Sequence, residues 1–158
     1  QFGVPWPAII ARLADAPGAP MRWEVVPRDG IVWINDAYNA NPISMAKSLE
    51  TFAAMDAKGG RKVAVLGDMF ELGDRAEAMH RAVGAQVAAS GVDVLVAVGA
   101  MSAQWMADAA LKAGMAADRI QTAADALAAR DLLKSLLKPG DHVLLKASHG
   151  MALESILG

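Results

Sequence analysis

Short apolar runs set apart by helix-length segments constrain this chain more than any other feature. Lys62-Val63-Ala64-Val65-Leu66 has almost no polar face, which is the pattern of a strand buried on both sides in a parallel sheet. Residues 93–98 and 142–146 repeat it, and 119–121 is a shorter strand. The segments between them have helical period. Met45, Leu49 and Phe52 recur at helical spacing ahead of Gly59-Gly60, and Met79, Val83 and Val87 do so ahead of Gly91. Asp74, with Glu77 three residues on, reads as a capping-box variant opening the second of these helices. Further helices are expected over 101–113, from a cap at Thr122 with Asp125 to Lys138-Pro139-Gly140, and from the 147–150 loop to Leu157. Upstream, residues 23–26 and 31–34 are β-rich, and the Pro27-Arg28-Asp29-Gly30 between them is a hairpin signal. A hairpin followed by strand–helix units predicts an α/β fold. It should be Rossmann-like and doubly wound, a mostly parallel sheet of about six strands with an antiparallel edge strand and helices on both faces.

A length of 158 residues suits one domain with a real core. The formal net charge of -2 comes from interspersed acids and bases with no basic stripe, which argues against nucleic acid and anionic membrane as partners. No apolar run approaches the ~18 residues of a membrane span, and no signal-peptide pattern is present. The absence of cysteine excludes disulfides, a thiolate nucleophile and a Cys-bound metal, and fits a cytoplasmic protein. His80, His142 and His149 have no metal-ligand spacing, so no metal ligand and no catalytic acid or base is assigned. There is no G-x-x-x-x-G-K-S/T phosphate loop. The chain opens at Gln1 inside a helix expected over 4–15, with Ile9, Ile10 and Leu13 on one side, followed by a linker, Ala16-Pro17-Gly18-Ala19-Pro20. Residues 1–20 are therefore expected to end a preceding domain and 21–158 to form the domain proper, so that the chain reads as a piece of something longer.

In open parallel sheets ligands bind beyond the carboxyl ends of the strands. Four loops fall there: 36–41, 67–73, 99–102 and 147–150. The first belongs to Asn35-Asp36-Ala37-Tyr38-Asn39-Ala40-Asn41-Pro42-Ile43-Ser44-Met45. Asn41 is placed to cap a helix whose first position is Pro42, so a carboxylate, a phenol and two amides are delivered onto a helix N-terminus, a natural site for a nucleotide or an anionic substrate. Asn41 by itself would be an ordinary cap. The second, Leu66-Gly67-Asp68-Met69-Phe70-Glu71-Leu72-Gly73, sets two carboxylates at a strand end, as acceptors for an ammonium group or as a solvated turn. His80, beyond it, is either structural or at the site. In the last, Lys146-Ala147-Ser148-His149-Gly150-Met151-Ala152-Leu153-Glu154, helix-opening amides and a serine hydroxyl suit a substrate carboxylate.

Together the three blocks closely resemble the Mur ligases, in particular those that add D-alanyl-D-alanine to UDP-N-acetylmuramoyl-tripeptide. The Tyr-Asn-Ala-Asn-Pro core and the L-G-D-M-x-E-L-G run match that pattern, while K-G-S-R-G is altered by Ala147 for Gly and His149 for Arg. Arg22 takes the place of the arginine of a hinge element, without the usual glycine before it. The resemblance implies the C-terminal domain of an ATP-dependent ligase of peptidoglycan synthesis, residues 1–20 ending the central ATP-binding domain. It implies activation of the tripeptide carboxylate as an acyl phosphate and attack by the amine of D-alanyl-D-alanine. ATP and Mg2+ would be the cofactors, the metal held mainly by the central domain. Arg22, Asp36, Tyr38 and Asn39 would contact the nucleotide, and Asn41, Asp68, Glu71, Ser148 and Gly150 the peptide substrates. The implied partners are D-alanyl-D-alanine, UDP-N-acetylmuramoyl-tripeptide and the central and N-terminal domains of the same enzyme, as a monomer. The domain would then be a lid that is inactive alone. Two alternatives stay open: a sister ligase (folylpolyglutamate or another Mur enzyme) and a non-catalytic α/β domain that binds small molecules.

Overall fold

The structure is a computed structural model describing residues 3–14 and 18–158, apart from the side chains of 13 and 14. Gln1, the side chain of Leu13, the expected helix end at Asp15 and the linker residues Ala16 and Pro17 lie outside the described residues. Helix α1 (Trp6–Ala14) leaves Trp6 and Ile10 exposed. The hairpin follows as β1 (Glu24–Arg28) and β2 (Ile31–Asn35), joined by Asp29 and Gly30 at φ 53° and 74°. Positive φ at both central residues matches the right-handed twist of the flanking strands. Then come α2 (Pro42–Ala54), β3 (Lys62–Gly67), α3 (Ala76–Ser90), β4 (Val94–Val98), α4 (Ala107–Lys112), β5 (Ile120–Ala123), α5 (Ala126–Leu136) and β6 (His142–Lys146). The six strands form one sheet in the order β1-β2-β6-β3-β4-β5. Only β1–β2 is antiparallel, so the expected mixed sheet with an antiparallel edge strand is found.

Side-chain alternation along the strands separates two cores. Ala64, Leu66, Leu95, Ala97 and Leu144 face Met45, Leu49 and Phe52 of α2, Val83 and Val87 of α3, and Ala107 and Ala110 of α4. Val63, Val65, Val94, Val96, Val143 and Leu145 face Ala126, Ala129 and Leu133 of α5 together with Leu153 and Ile156. Helices thus cover both faces. No helix among the described residues is long and apolar enough to cross a membrane.

Four local expectations are corrected. Asp74 caps nothing, because Gly73 at φ 53° turns the chain into a 3-10 turn, Gly73–Arg75, and α3 starts beyond it with no side-chain cap. Glu77 instead accepts from Arg81 Nε at 2.8 Å. Thr122 lies in β5, and Asp125 alone caps α5, its Oδ1 accepting from Ala128 N at 2.8 Å. The helix expected over 101–113 contains a π-turn, Ser102–Met106, ahead of α4. The expected terminal helix is two 3-10 turns, His149–Met151 and Leu153–Leu157, separated by Ala152 at φ 50°. Leu153 and Ile156 are buried at the three-residue spacing of a 3-10 turn, so packing of those two side chains suits the tighter helix.

Candidate functional site

The topology opens a crevice at one place. Strands β6 and β3 are neighbours, but the chain after β6 packs onto the α5 face and the chain after β3 onto the α3 face. Divergence of this kind at the carboxyl ends of adjacent strands leaves a gap between the loops, where ligands of such sheets bind. Here the gap is an open cleft of about 320 Å³ lined by Tyr38, Asn39, Phe70, Glu71, Ser148, His149 and Gly150. A larger groove, about 480 Å³, lies near the amino end of β2, lined by Arg28, Trp33, Leu133 and Ile156. The smaller cleft is the better candidate, since polar groups from three loops converge there.

Ser148 joins two of those loops. Its N–H donates to the Asp68 carbonyl at 3.1 Å, and its Oγ accepts from Phe70 N at 2.8 Å. Because Oγ is engaged as an acceptor, the hydroxyl proton remains free to donate. Gly150 allows the Phe70 ring close: a Cβ there would lie 3.1 Å from its Cε2. Glu71 stands exposed at φ 62°. Ala147, wholly buried, is tolerated where the resemblance expects glycine, because its Cβ lies only 2.6 Å from where a Cβ of Gly67 would stand.

Across the cleft, the Tyr38 ring is 44% exposed, with the Arg22 guanidinium 4.0 Å from its centroid and the His149 ring 5.9 Å away. The cation over the ring face is an attractive pairing that presents Arg22 at the rim. Met21 and Trp23, on either side of Arg22, are both at φ 56°. Glycine takes that backbone conformation without strain, which fits the glycine that the resemblance expects before the arginine. Here the bonds from Tyr38 N to the Met21 carbonyl (3.1 Å) and from Trp23 N to Asp36 Oδ1 (3.2 Å) hold Met21 and Trp23 in it. Asn39 is exposed, its Oδ1 accepting from Ala40 N at 2.8 Å.

Three of the residues singled out from sequence are turned to other partners. Asp36 accepts from Trp23 N, from Ser48 Oγ at 2.6 Å and from Lys146 Nζ at 2.7 Å, with side-chain exposures of 15% for Asp36 and 4% for Lys146. Asp68 is buried and receives Ser102 N at 2.6 Å and Met101 N at 3.3 Å, so its carboxylate fills the helix N-terminus after β4. Gly99, at φ 97°, lies so close that a Cβ would stand 2.5 Å from Asp68 Oδ2. Asn41 caps α2 in a capping box, its Oδ1 accepting from Ser44 N at 2.9 Å and Ser44 Oγ accepting from Asn41 N at 3.0 Å. His80 is fully buried and touches the cleft only through the loop it supports. Sequence reasoning missed Phe70 and Lys146. A lysine closing an otherwise apolar strand was the available signal for the second, and a large aromatic between two turn glycines for the first.

Among the described residues no group of three carboxylate or histidine side chains could hold a metal ion. With Asp36 and Asp68 committed to internal donors, these residues do not fit a Mg2+ site. They do offer an aromatic face, amides and a guanidinium, which suit the base, sugar and phosphates of a nucleotide.

Fold and cleft define a doubly wound α/β domain with a candidate ligand cleft at a topological switch point. The family described as "Mur ligase, glutamate ligase domain" matches residues 21–149, and the chain belongs to it. It is 37% identical over 138 residues to the UDP-N-acetylmuramoyl-tripeptide–D-alanyl-D-alanine ligase of Bacillus subtilis, covering 87% of this chain and 30% of that protein. A crystal structure of MurF from Acinetobacter baumannii superposes with a TM-score of 0.81 at 31% identity, covering 98% of this chain and 33% of that one. The MurF ligase of Thermotoga maritima, solved with ADP, gives 0.75 at 28%, covering 94% and 32%. The chain thus spans about a third of the length of these relatives.

Proposed function

We propose that residues 21–158 are the C-terminal domain of an ATP-dependent ligase that adds D-alanyl-D-alanine to UDP-N-acetylmuramoyl-tripeptide in peptidoglycan synthesis, residues 1–20 being the end of a preceding ATP-binding domain and its linker. The observation that carries this reading is the convergence of Tyr38, Asn39, Glu71, Ser148 and Gly150 on one cleft, in a chain whose full-length relatives carry that name. In the reaction ATP supplies the phosphoryl group that activates the tripeptide carboxylate. This domain's own residues bind and orient. Arg22 reaches from the Tyr38 ring toward phosphates, and Tyr38 and Asn39, with the remaining acceptor capacity of Asp36, meet the base and sugar. The Ser148 hydroxyl donates to a substrate carboxylate, Gly150 leaves room for it, and Glu71 accepts from the dipeptide ammonium. Asn41 and Asp68 contribute by shaping the loops that carry these groups. A guanidinium and a hydroxyl brought in by domain closure orient reactants and exclude water without taking a proton themselves. Mg2+ is held by the rest of the enzyme, which acts as a monomer in the cytoplasm.

The test is ligation by the full-length protein. ATP, UDP-N-acetylmuramoyl-tripeptide and D-alanyl-D-alanine should give the pentapeptide product by mass spectrometry, and Arg22→Ala should raise KM for ATP about tenfold. Product formation with glutamate or another amino acid, but not with the dipeptide, would instead assign a sister ligase.

A further inference from the structure

The end of β6 holds a group that the proposed mechanism does not use. Every residue of β6 is buried, and Lys146, its last, has a side chain only 4% exposed. The ammonium donates to Asp36 Oδ2 at 2.7 Å and to the Asn39 carbonyl at 2.9 Å, with the Asp36 carbonyl at 3.4 Å. An ammonium has three protons, and all three acceptors lie on the four-residue stretch 36–39, at its two ends. Lys146 does not line the cleft.

We propose that Lys146 is a positioning residue: its ammonium closes the 36–39 stretch into a fixed loop and thereby sets the Tyr38 ring and the Asn39 amide for the nucleotide. The inference rests on the nucleotide-binding role read above for that loop. Filling the strand end does not require a charge. A methionine would occupy the same volume, and removing an ammonium from water is unfavourable, so what the lysine adds is directed bonds together with the charge that balances Asp36. An arginine could not replace it, because its planar fork spreads donors over several atoms whereas these acceptors converge on one. Other main-chain tethers of the loop are Asp36 N to the Leu145 carbonyl at 2.9 Å, Ala37 N to Asn35 Oδ1 at 3.3 Å and Tyr38 N to the Met21 carbonyl at 3.1 Å. None of these holds the Asn39 end. Without Lys146 that end is free to move, and the ring between the two clamped carbonyls moves with it.

Two measurements decide it. In the 158-residue protein, Lys146→Met should speed hydrogen exchange of the amides at 36–40 by about tenfold while those of β3 and β4 keep their protection. Uniform loss across the sheet, or no change, would mean a merely structural lysine and overturn the proposal. In the full-length protein the same variant should raise KM for ATP about tenfold with kcat within about threefold, as expected when a binding contact is mispositioned. A fall in kcat at unchanged KM, or unchanged constants, overturns it too. Should Lys146→Met not fold, Lys146→Arg, which keeps the charge but not the convergent bonds, is read in the same way. If the unmodified protein forms no product at all, the ligase reading fails, and the exchange measurement alone decides the role of Lys146.

Discussion

The His80 ring is wholly buried, its Nε2 accepting from Met69 N at 3.0 Å and its Nδ1 donating to the Ala76 carbonyl at 2.7 Å. That pair of bonds puts the proton on Nδ1 and ties the 67–73 loop to the first turn of α3. The Trp105 ring packs edge-on against it, 5.9 Å between centroids. His80→Ala should therefore cost ~2–4 kcal/mol in urea unfolding, from the cavity and the orphaned Met69 N–H together. A loss below ~1 kcal/mol would mean the loop does not depend on the ring. Residue identities at the strand ends were legible in the sequence, but the directions of their side chains were not. Asp68 was read as a carboxylate at a strand end, and its amide partners lie 33 and 34 residues on. Asp36 and Lys146 are 110 residues apart. Local pattern cannot show that a carboxylate is already satisfied by a donor from a distant strand, so the two acids read as open when they are engaged. Tyr38, Asn39 and Glu71 stand exposed at the cleft, and the side-chain hydrogen bond made there, Ala40 N to Asn39 Oδ1, is local.

At the scale of elements, strands were legible because runs such as Val63–Leu66 are buried on both faces and carry no competing polar period. The α2 start was legible because Asn41 and Pro42 are both local signals. Helix ends decided by backbone, as at Ala152 and Gly73, were not. Nor was the π-turn. It brings the Met106 carbonyl so close to α3 that a Cβ on Gly84 would stand 2.1 Å from it, and no local residue preference announces such a contact. Elements are also joined at the opposite end of the sheet. Arg61, before β3, donates from Nε and Nη2 to the Asp141 carboxylate at 3.1 and 2.6 Å and from Nη2 to the Leu136 carbonyl of α5 at 2.8 Å. Burial alone would raise the Asp141 pKa, but the Arg61 hydrogen bonds, the Lys138 amide and the guanidinium charge outweigh it and hold the carboxyl below its ordinary 3.8. A depressed folded-state value means stability that is present above the unfolded value and lost as pH falls through the folded one. Unfolding free energy should thus decline below about pH 4, and Asp141→Asn should flatten that decline. Arg61→Ala should cost ~1–3 kcal/mol at pH 7, less than a fully buried pair because the arginine side chain is a third exposed. An acid limb of unchanged slope in Asp141→Asn would assign the decline to other carboxylates.

For the molecule as a whole, the groups around the cleft point outward and are uncovered. Tyr38 is 44% exposed and Phe70 41%, with the Arg22 guanidinium over the Tyr38 ring. Apolar side chains clustered with a cation at the mouth of a cleft suit a surface that another body closes over. The chemistry points the same way. The sequence contains no phosphate loop, the described residues hold no metal-binding cluster, and Asp36 and Asp68 are engaged by Lys146 and by helix amides, which leaves Glu71 as the open carboxylate of the cleft. Such a rim can contribute contacts to a nucleotide and a dipeptide but has nothing with which to activate a carboxylate. The 158-residue protein alone, given ATP, Mg2+, UDP-N-acetylmuramoyl-tripeptide and D-alanyl-D-alanine, should therefore form no ligated product and release no phosphate above background. Product from the isolated chain would mean that the activating groups lie within it and that the closing-domain reading is wrong. Calorimetric titration of ATP into the same protein measures how much of the nucleotide site exists before closure. Because Arg22 and Tyr38 are already stacked, weak saturable binding that disappears on Tyr38→Ala is the expected result, and binding that survives that substitution would move the nucleotide away from this rim.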